Sequence, residues 1–339
     1  MRRVRWRQAS VWIGLLVSLL FIYLAIRNVD LGAVGEAIRG MQFWLLVPAT
    51  GVMAVAIYLR AIRWRLFFAP EHRPGMGAIT AALLIGYLFN NILPARAGEA
   101  ARVIALRQRA GTPRFEALGT VVAERALDVV CLVLILFGLA PVLPGVDWLP
   151  RALAFGGALS AALGVLLVAI AFYGHGPARL LLRPLSFLPG FTGERTETAA
   201  ASLVHGFSFL RRPASAVATI VLTIVSWLLI AVSFWLCLLG FPFAHGFEAA
   251  LLVVVATNLV LVIPSGPAAV GVFEAATLVA LGAFGVDRSS ALSYAIVAHA
   301  LSIVPFIVVG YAVLHHHATL VRRLRRGQPS PTEPASEGG

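Results

Sequence analysis

The chain has 339 residues, of which 60% are hydrophobic and only 12% are charged, and its mean hydropathy is +0.89. This composition excludes an ordinary soluble protein, because no soluble domain of this length needs so much apolar surface. The formal charge of +12 comes from arginine without lysine, and in so apolar a chain it indicates basic cytoplasmic loops rather than a nucleic-acid partner.

Six segments are apolar enough to cross a bilayer, which takes about 20 helical residues. They are residues 11–27, 42–62, 115–140, 152–173, 214–239 and 289–314. The first segment follows a basic N-terminus, residues 1–10, but no small-residue cleavage site follows it. We therefore interpret it as a retained transmembrane helix rather than a signal peptide.

Two further apolar segments are interrupted by proline and glycine. Residues 77–94 run into LPARAGE, and residues 248–263 run into PSGPAAVGVFE before a second apolar piece, 268–285. We expect each to form a re-entrant hairpin that enters and leaves on one side of the membrane. The loops then place 21 arginines on the cytoplasmic side, with Arg60, Arg63 and Arg102 among them, and four on the other. The positive-inside rule thus predicts a multi-pass inner-membrane protein with both termini in the cytoplasm.

The order of the elements repeats along the chain. Residues 11–140 and 152–314 each contain a span, a second span, a broken hairpin and a third span, so the halves would be inverted. Chance similarity of hydropathy is the alternative. The predicted fold is an all-α polytopic membrane protein over residues 11–315, with about six transmembrane helices plus two broken re-entrant hairpins in a pseudo-inverted repeat.

Two cytoplasmic segments flank or divide this predicted membrane domain. Leu203, Phe207 and Leu210 fall on one helical stripe, which predicts a helix at the inner membrane surface over about residues 194–212. The end of the chain, residues 316–339, is basic and then rich in proline, serine and glycine, and we expect it to be a disordered tail.

The stretch NILPARAGEAAR places polar residues at the end of the first broken segment. Pro94 would interrupt a helix but can begin a new one, whose free N–H groups attract anions. Arg96 adds a guanidinium suited to phosphate, and Gly98 would let a ligand or another helix approach closely. Alternatively, Glu99 and Arg102 simply pair and cap the hairpin. The candidate binding residues here are Asn91, Pro94, Arg96, Gly98, Glu99 and Arg102.

The third span contains the sequence ERALD. Glu124 and Asp128 share a helix face, and Arg125 can pair with Asp128. Glu124 lies about 14 Å along the predicted helix, near the midplane. Ionisable groups at that depth indicate a functional site, although an internally neutralised structural cluster would have the same pattern.

The second broken segment mirrors the first. Gly266 fits the N-cap of a new helix and Pro267 its first position, and Glu274 lies about two turns further on. An asparagine on the incoming half and a histidine in the last span add polar groups, although each could equally serve helix packing. The candidate binding residues here are Asn258, Gly266, Pro267, Gly271, Glu274 and His299.

With these motifs, the chain resembles the transmembrane, flippase-like domain of the lysylphosphatidylglycerol synthase family, of the multiple peptide resistance factor type, over about residues 10–315. The family usually has two glycines where this chain has Ala268 and Ala269. Full-length members carry a soluble aminoacyl-transfer domain that this sequence does not contain. The resemblance therefore implies the lipid-translocating part of such proteins and not the synthase.

We predict a transporter that moves a phospholipid or a lipid-linked headgroup between leaflets through a polar midplane site. Its partner would be a membrane lipid with an anionic or lipid-linked phosphate headgroup. We expect no enzyme and no cofactor, because the sequence has no phosphate-binding loop, no H-E-x-x-H and no nucleophile elbow. Two alternatives remain open: a membrane enzyme that acts on a lipid phosphate, and an accessory subunit of a glycosyltransferase in cell-envelope synthesis.

Overall fold

The computed structural model is helical, and the residues it describes contain no β-strand. It describes residues 16–27, 29–93, 97–143, 145–183, 193–243, 245–260 and 266–325, with the backbone alone for 317–325. The predicted all-α polytopic class is confirmed. The first five residues of the predicted span 11–27 lie outside the described part.

The described part of the chain contains thirteen α-helices. They are α1 Leu16–Ile26, α2 Leu31–Arg39, α3 Leu46–Phe67, α4 Met76–Ile92, α5 Gly98–Ala110, α6 Arg114–Leu139, α7 Leu149–Tyr173, α8 His175–Leu182, α9 Gly193–Phe207, α10 Pro213–Leu239, α11 Phe247–Val260, α12 Val272–Gly282 and α13 Arg288–Arg325. Among the described residues, α3, α6, α7, α10 and α13 are long and apolar enough to cross a membrane. A sixth span is possible if α1 and α2, bent by 83° to each other, act as one.

The antiparallel pair α3 and α10 lies at the centre and defines two sides of the molecule. At one end, Arg212 donates to the carbonyl oxygen of Phe68 at 3.0 Å. Towards the other end, Ser233 donates to the carbonyl oxygen of Ala49 at 2.8 Å. We call the side where α3 ends and α10 begins the arginine-rich side, because Arg65 and Arg73 also lie there.

Both broken segments form hairpins, and they enter from opposite sides. Hairpin 1, α4 and α5, begins and ends on the arginine-rich side, where Arg65 binds the carbonyl of Pro74 at 2.9 Å just before α4. Hairpin 2, α11 and α12, follows the end of α10 and precedes the start of α13, so it enters from the opposite side. The predicted re-entrant hairpins are therefore present.

The packing of the helices follows the repeat. The first arm of hairpin 1, α4, packs against α13, the last helix of the second half, and α11 of hairpin 2 packs against α6, the last helix of the first half. This exchange of partners is the arrangement expected of a pseudo-two-fold axis in the membrane plane.

The two hairpins meet inside the body. α4 and α13 run antiparallel, because Gly310 lies against Leu84 and the ring of Tyr87 lies 5.1 Å from that of Phe306. The end of α4 therefore extends towards the part of α13 that contains His299. The short turn Pro267–Ala269 at the tip of hairpin 2 packs against α4.

The segment between the halves is clamped to α6. A Cβ atom on Gly119 of α6 would collide with the backbone of Ser202 of α9, and one on Gly206 would collide with Gly119 in return. The predicted apolar stripe of α9 is buried at Leu203 and Phe207, which face other helices. This close packing needs small residues, as do many helix contacts in membranes.

The two arms of hairpin 1 depend on a similar contact, which yields a stability prediction. Gly98 lies against the carbonyl oxygen of Gly86 and against Asn90, so an added methyl group has no space. We expect Gly98→Ala to destabilise the protein by about 1–3 kcal/mol, because the backbones must separate. The measurement is the unfolding midpoint in detergent.

Gly77→Ala is the matched control for this substitution. Gly77 lies on α4 of the same hairpin, and a methyl group there would meet nothing within 4 Å. We expect it to leave the midpoint unchanged or slightly raised, since alanine favours a helix. Equal midpoints for the two variants would contradict the close packing of the arms.

Candidate functional site

Seven ionisable side chains from α3, α5 and α6 lie together in the interior, and we call them the arginine–carboxylate cluster. Its members are Arg60, Arg63, Glu99, Arg102, Glu124, Arg125 and Asp128. Glu124 is at the centre and is fully buried. Its carboxylate accepts from Arg63 at 2.8 Å and from Arg102 at 2.9 Å, and Arg125 lies 2.6 Å away.

Asp128 lies one helical turn beyond Glu124 and is the second acceptor in the cluster. It accepts from Arg63 at 2.6 Å and from Arg125 at 3.0 Å. The indole of Trp227 on α10 also donates to it at 3.2 Å. The carboxylates of ERALD thus hold three transmembrane helices together, α3, α6 and α10.

Arg60 is the member of the cluster that has no carboxylate partner in the described part of the chain. It is 5% exposed, and its guanidinium lies over the ring of Trp227 at 4.0 Å from the centroid. Two of its nitrogens, Nε and Nη2, are buried and lack a hydrogen-bond partner among the described residues. A cation–π contact is worth about 2 kcal/mol when desolvated, whereas a buried ion costs several kcal/mol, so the contact offsets part of the cost.

The charges of the cluster do not cancel. Within the described residues, four arginines face three carboxylates, which leaves a surplus of one positive charge. The side chains of Arg125 and Glu99 are 31% and 23% exposed, so the cluster is accessible at this edge. An anion with hydrogen-bond acceptors would therefore fit this environment electrostatically.

The expectation that Arg60, Arg63 and Arg102 lie in cytoplasmic loops is wrong. All three are buried, at 5%, 0% and 3% exposure, respectively. α3 continues five residues past the predicted end of the span, because Trp64 and Phe67 extend its buried face. One arginine in ERALD could not neutralise two carboxylates, and this imbalance is the sequence signal that could have found the other arginines.

Only some of the candidate residues of hairpin 1 lie in the cluster. Arg102 pairs with Glu99 at 2.8 Å and also with Glu124, so the local pair and the longer connection coexist. Gly98 serves the contact between helices, and Asn91 lies half-buried near the end of α4. Pro94 and Arg96 lie outside the described residues.

A separate, largely buried pair joins hairpin 2 to α13, with Glu274 on α12 and His299 on α13. The Nδ1 atom of His299 lies 2.6 Å from Oε1 of Glu274, and its Nε2 lies 2.9 Å from the carbonyl oxygen of Ala268. The other carboxylate oxygen, Oε2, accepts from the N–H of Gly271 at 2.6 Å, which caps α12. Phe273 stacks on the imidazole with centroids 4.2 Å apart.

The predicted start of the helix after Gly266 and Pro267 is wrong by five residues. These two residues begin a short 3₁₀ turn, and α12 starts at Val272. The helix cannot start earlier because Ala268 and Ala269 adopt left-handed backbone angles, with φ of 53° and 57°.

The remaining hairpin 2 candidates make contacts with different helices. Gly266 donates to Ser18 of α1 at 2.9 Å, and Gly271 lies against the backbone of the same helix. Asn258 donates at 2.9 Å to the carbonyl oxygen of Val254, within its own helix. The structure therefore brings Glu274, Gly271 and His299 together, whereas Asn258 donates its hydrogen bonds within α11.

Comparison with known proteins is consistent with a membrane function connected with lipids or the cell envelope. Residues 11–310 match the profile of the family described as lysylphosphatidylglycerol synthase TM region. A curated relative from Haloferax volcanii, named Glycosyltransferase AglD, is 28% identical over 155 residues. That match covers 44% of this chain and 25% of the relative, so it spans about a quarter of that protein's length.

Arg63 tests whether the cluster holds the helices together. Arg63→Gln leaves Glu124 and Asp128 with one fewer cation in a buried place, and we expect a loss of about 3–5 kcal/mol in the free energy of unfolding. Arg151→Gln, which removes an exposed arginine of α7, should change it by less than about 0.5 kcal/mol. Chemical denaturation in detergent, followed by circular dichroism, compares the two, and similar values would contradict the role of Arg63.

Ala268 tests the strain at the tip of hairpin 2. We expect Ala268→Gly to raise the free energy of unfolding by roughly 0.5–1 kcal/mol, because glycine adopts a positive φ without the steric cost that alanine bears. Ala275→Gly, within regular α12, should lower it by a similar amount. The same denaturation experiment measures both, and changes of the same sign would refute the interpretation.

Proposed function

The chain belongs to the lysylphosphatidylglycerol synthase TM region family, and from this premise we propose that it is a membrane lipid transporter. Its substrate would be a lipid with a phosphate-bearing, anionic headgroup. The headgroup would pass between hairpin 1 and hairpin 2 while the acyl chains remain in the surrounding bilayer.

The surplus positive charge of the arginine–carboxylate cluster is the observation that carries this proposal. Arg60 is buried against Trp227 without a carboxylate partner among the described residues. A buried charge without a partner is costly, so a site of this kind favours a bound anion. Within a bilayer, the phosphate of a lipid headgroup is the anion present at the highest concentration.

The arrangement of the hairpins supports access from both leaflets. Hairpin 1 enters from the arginine-rich side and hairpin 2 from the opposite side, and the tip of hairpin 2 packs on α4. Broken helices at matching positions of two inverted halves surround the substrate sites of many secondary transporters. By the positive-inside rule, we propose that the arginine-rich side faces the cytoplasm and that the membrane is the inner membrane.

The contacts of Glu124 indicate how a phosphate could bind. Arg63, Arg102 and Arg125 all donate to this one carboxylate. A phosphate that arrives at the exposed edge, beside Arg125, would compete with Glu124 for these donors. Because Arg102 lies on α5, such an exchange would change the position of hairpin 1 relative to α6. We propose that Arg96, outside the described residues, also contacts the phosphate.

A second candidate function follows from the partial similarity to a protein named as a glycosyltransferase. The chain could be a membrane enzyme, or an accessory subunit, that acts on a lipid phosphate or lipid-linked sugar in cell-envelope synthesis. In this case the carboxylates would serve as acid and base. Product formation from a lipid-linked donor without exchange between leaflets would favour this function over transport.

The test of transport uses purified protein in liposomes that contain a fluorescent phosphatidylglycerol and, separately, a fluorescent phosphate-free glycolipid. We expect wild-type protein to increase exchange of the phosphatidylglycerol between leaflets and Arg60→Gln to reduce this exchange at least tenfold, because the variant removes the surplus cation. The loss of fluorescence after addition of a membrane-impermeant quencher measures exchange.

Arg151→Gln is the matched control, since it removes an exposed arginine on α7. Arg60→Gln should stay folded, because it leaves equal numbers of arginines and carboxylates in the described cluster, and the unfolding midpoint checks this. If the two variants exchange phosphatidylglycerol at the same rate, or if wild-type protein moves neither lipid, the proposal is wrong.

A further inference from the structure

The contacts of His299 determine where its hydrogens lie. A carbonyl oxygen accepts hydrogen bonds and cannot donate, so the Nε2 atom that lies 2.9 Å from the oxygen of Ala268 must have a hydrogen. The opposite nitrogen, Nδ1, lies 2.6 Å from Oε1 of Glu274, which is hydrogen-bond distance. This short contact also needs a hydrogen between its two atoms.

The two hydrogens among the imidazole, the carboxylate of Glu274 and the carbonyl of Ala268 are compatible with two protonation states of the pair. Either the imidazole is doubly protonated and faces an ionised carboxylate, or a neutral imidazole accepts a hydrogen bond from the protonated carboxyl group of Glu274. Both forms have no net charge, and both contain one more proton than a neutral imidazole beside an ionised carboxylate. The observed geometry is therefore that of a pair with a proton bound.

We infer that Glu274 and His299 form a proton-binding site, and that the bound proton holds the tip of hairpin 2 against α13. When the proton leaves to water, the neutral imidazole has a single N–H. It can donate to the carbonyl of Ala268 or to the carboxylate of Glu274, but not to both, so one of the two contacts must open.

The surroundings of the pair fit a site of this kind. Glu274 and His299 have side chains that are 13% and 8% exposed, and Phe273 covers one face of the imidazole. His299 lies eleven residues past the start of α13, about 16 Å along the helix and close to the midplane. A charge left at this depth by loss of the proton would be costly, which links proton release to movement of the tip.

Other titratable groups lie on the helices that surround Glu274 and His299. They are Tyr23 on α1 and Arg27 just after it, Glu36 and Arg39 on α2, Tyr58, Arg60, Arg63 and Arg65 on α3, Tyr87 on α4, Cys237 on α10, Glu248 on α11, and Arg288, Tyr294, Tyr311, His315 and His316 on α13. Arg63 binds the carboxylates of α6, and Tyr294 donates to Phe234 at 3.1 Å. The electrostatic partner of Glu274 is His299.

The bound proton is linked to the backbone strain at the tip of hairpin 2. Ala268, whose carbonyl accepts from His299, is one of the two alanines with a positive φ. Loss of this contact would let the tip relax towards angles that alanine prefers. The proton-binding site rests on the contacts between hairpin 2 and α13, so it does not require that the transported molecule be a lipid.

Hydrogen–deuterium exchange of the full chain in detergent over a series of pH values tests this inference. After correction for the intrinsic exchange rate, peptides that cover residues 266–274 should lose protection as the pH rises, by roughly tenfold per pH unit above the midpoint, as expected for release of one proton. Peptides from α7 should show no such step.

Two variants of the pair have opposite expected results. Glu274→Gln can donate an amide N–H to Nδ1 at every pH, so it should keep the tip protected without a step. His299→Leu removes both contacts and should leave the tip unprotected throughout. Glu36→Gln and His205→Gln change exposed residues and should retain the wild-type step.

A wild-type protein without the step, or a step that persists in Glu274→Gln, would overturn the inference. The result is separate from the transport assay. A protein that moves no lipid in liposomes could still show the step and support the proton-binding site, whereas lipid exchange in a protein without the step would contradict the site alone.

Discussion

The interior of this protein depends on the ion pairs that the carboxylate of Glu124 makes. Hydrocarbon does not solvate ions, so a charge that α3, α5 or α6 brings inside is costly unless it finds a partner within the protein. Glu124 meets arginines from all three helices at 2.6–2.9 Å. Helices that the apolar effect alone would not hold together in a bilayer are thus connected by charge. The surplus cation at Arg60 makes this structural network a candidate for ligand binding.

The two hairpins use the polar interior in different ways. Hairpin 1 is tied to the arginine–carboxylate cluster through Arg102, whereas hairpin 2 is tied to α13 through a hydrogen-bonded pair. In the proposals above, an anion would compete for the first contact, whereas a bound proton would stabilise the second. On these two proposals, each half of the molecule would respond to a different small species.

The sequence predicted the helical spans, the hairpins and the acidic residues because hydropathy and proline record them locally. Arg63 was missed because its partners lie 61 and 65 residues away, and a basic residue near the end of an apolar segment usually belongs to a loop. The start of α12 was missed because alanine rarely adopts the left-handed angles that Ala268 and Ala269 have. Glycine at these positions would have indicated a turn, whereas alanine does not. Glu274 and His299 could be named individually, but their pairing required the fold.

The contact between Gly119 and Gly206 has a consequence for motion. It fixes the connecting segment α9, which leads directly into the second half, to a helix of the first half with backbone against backbone. Phe67 and Phe209 pack at 4.5 Å beside it. In the proposed transport cycle, a rigid-body rotation of one half about the other would have to separate these backbones. Movement of the hairpins relative to the long helices would leave this contact intact.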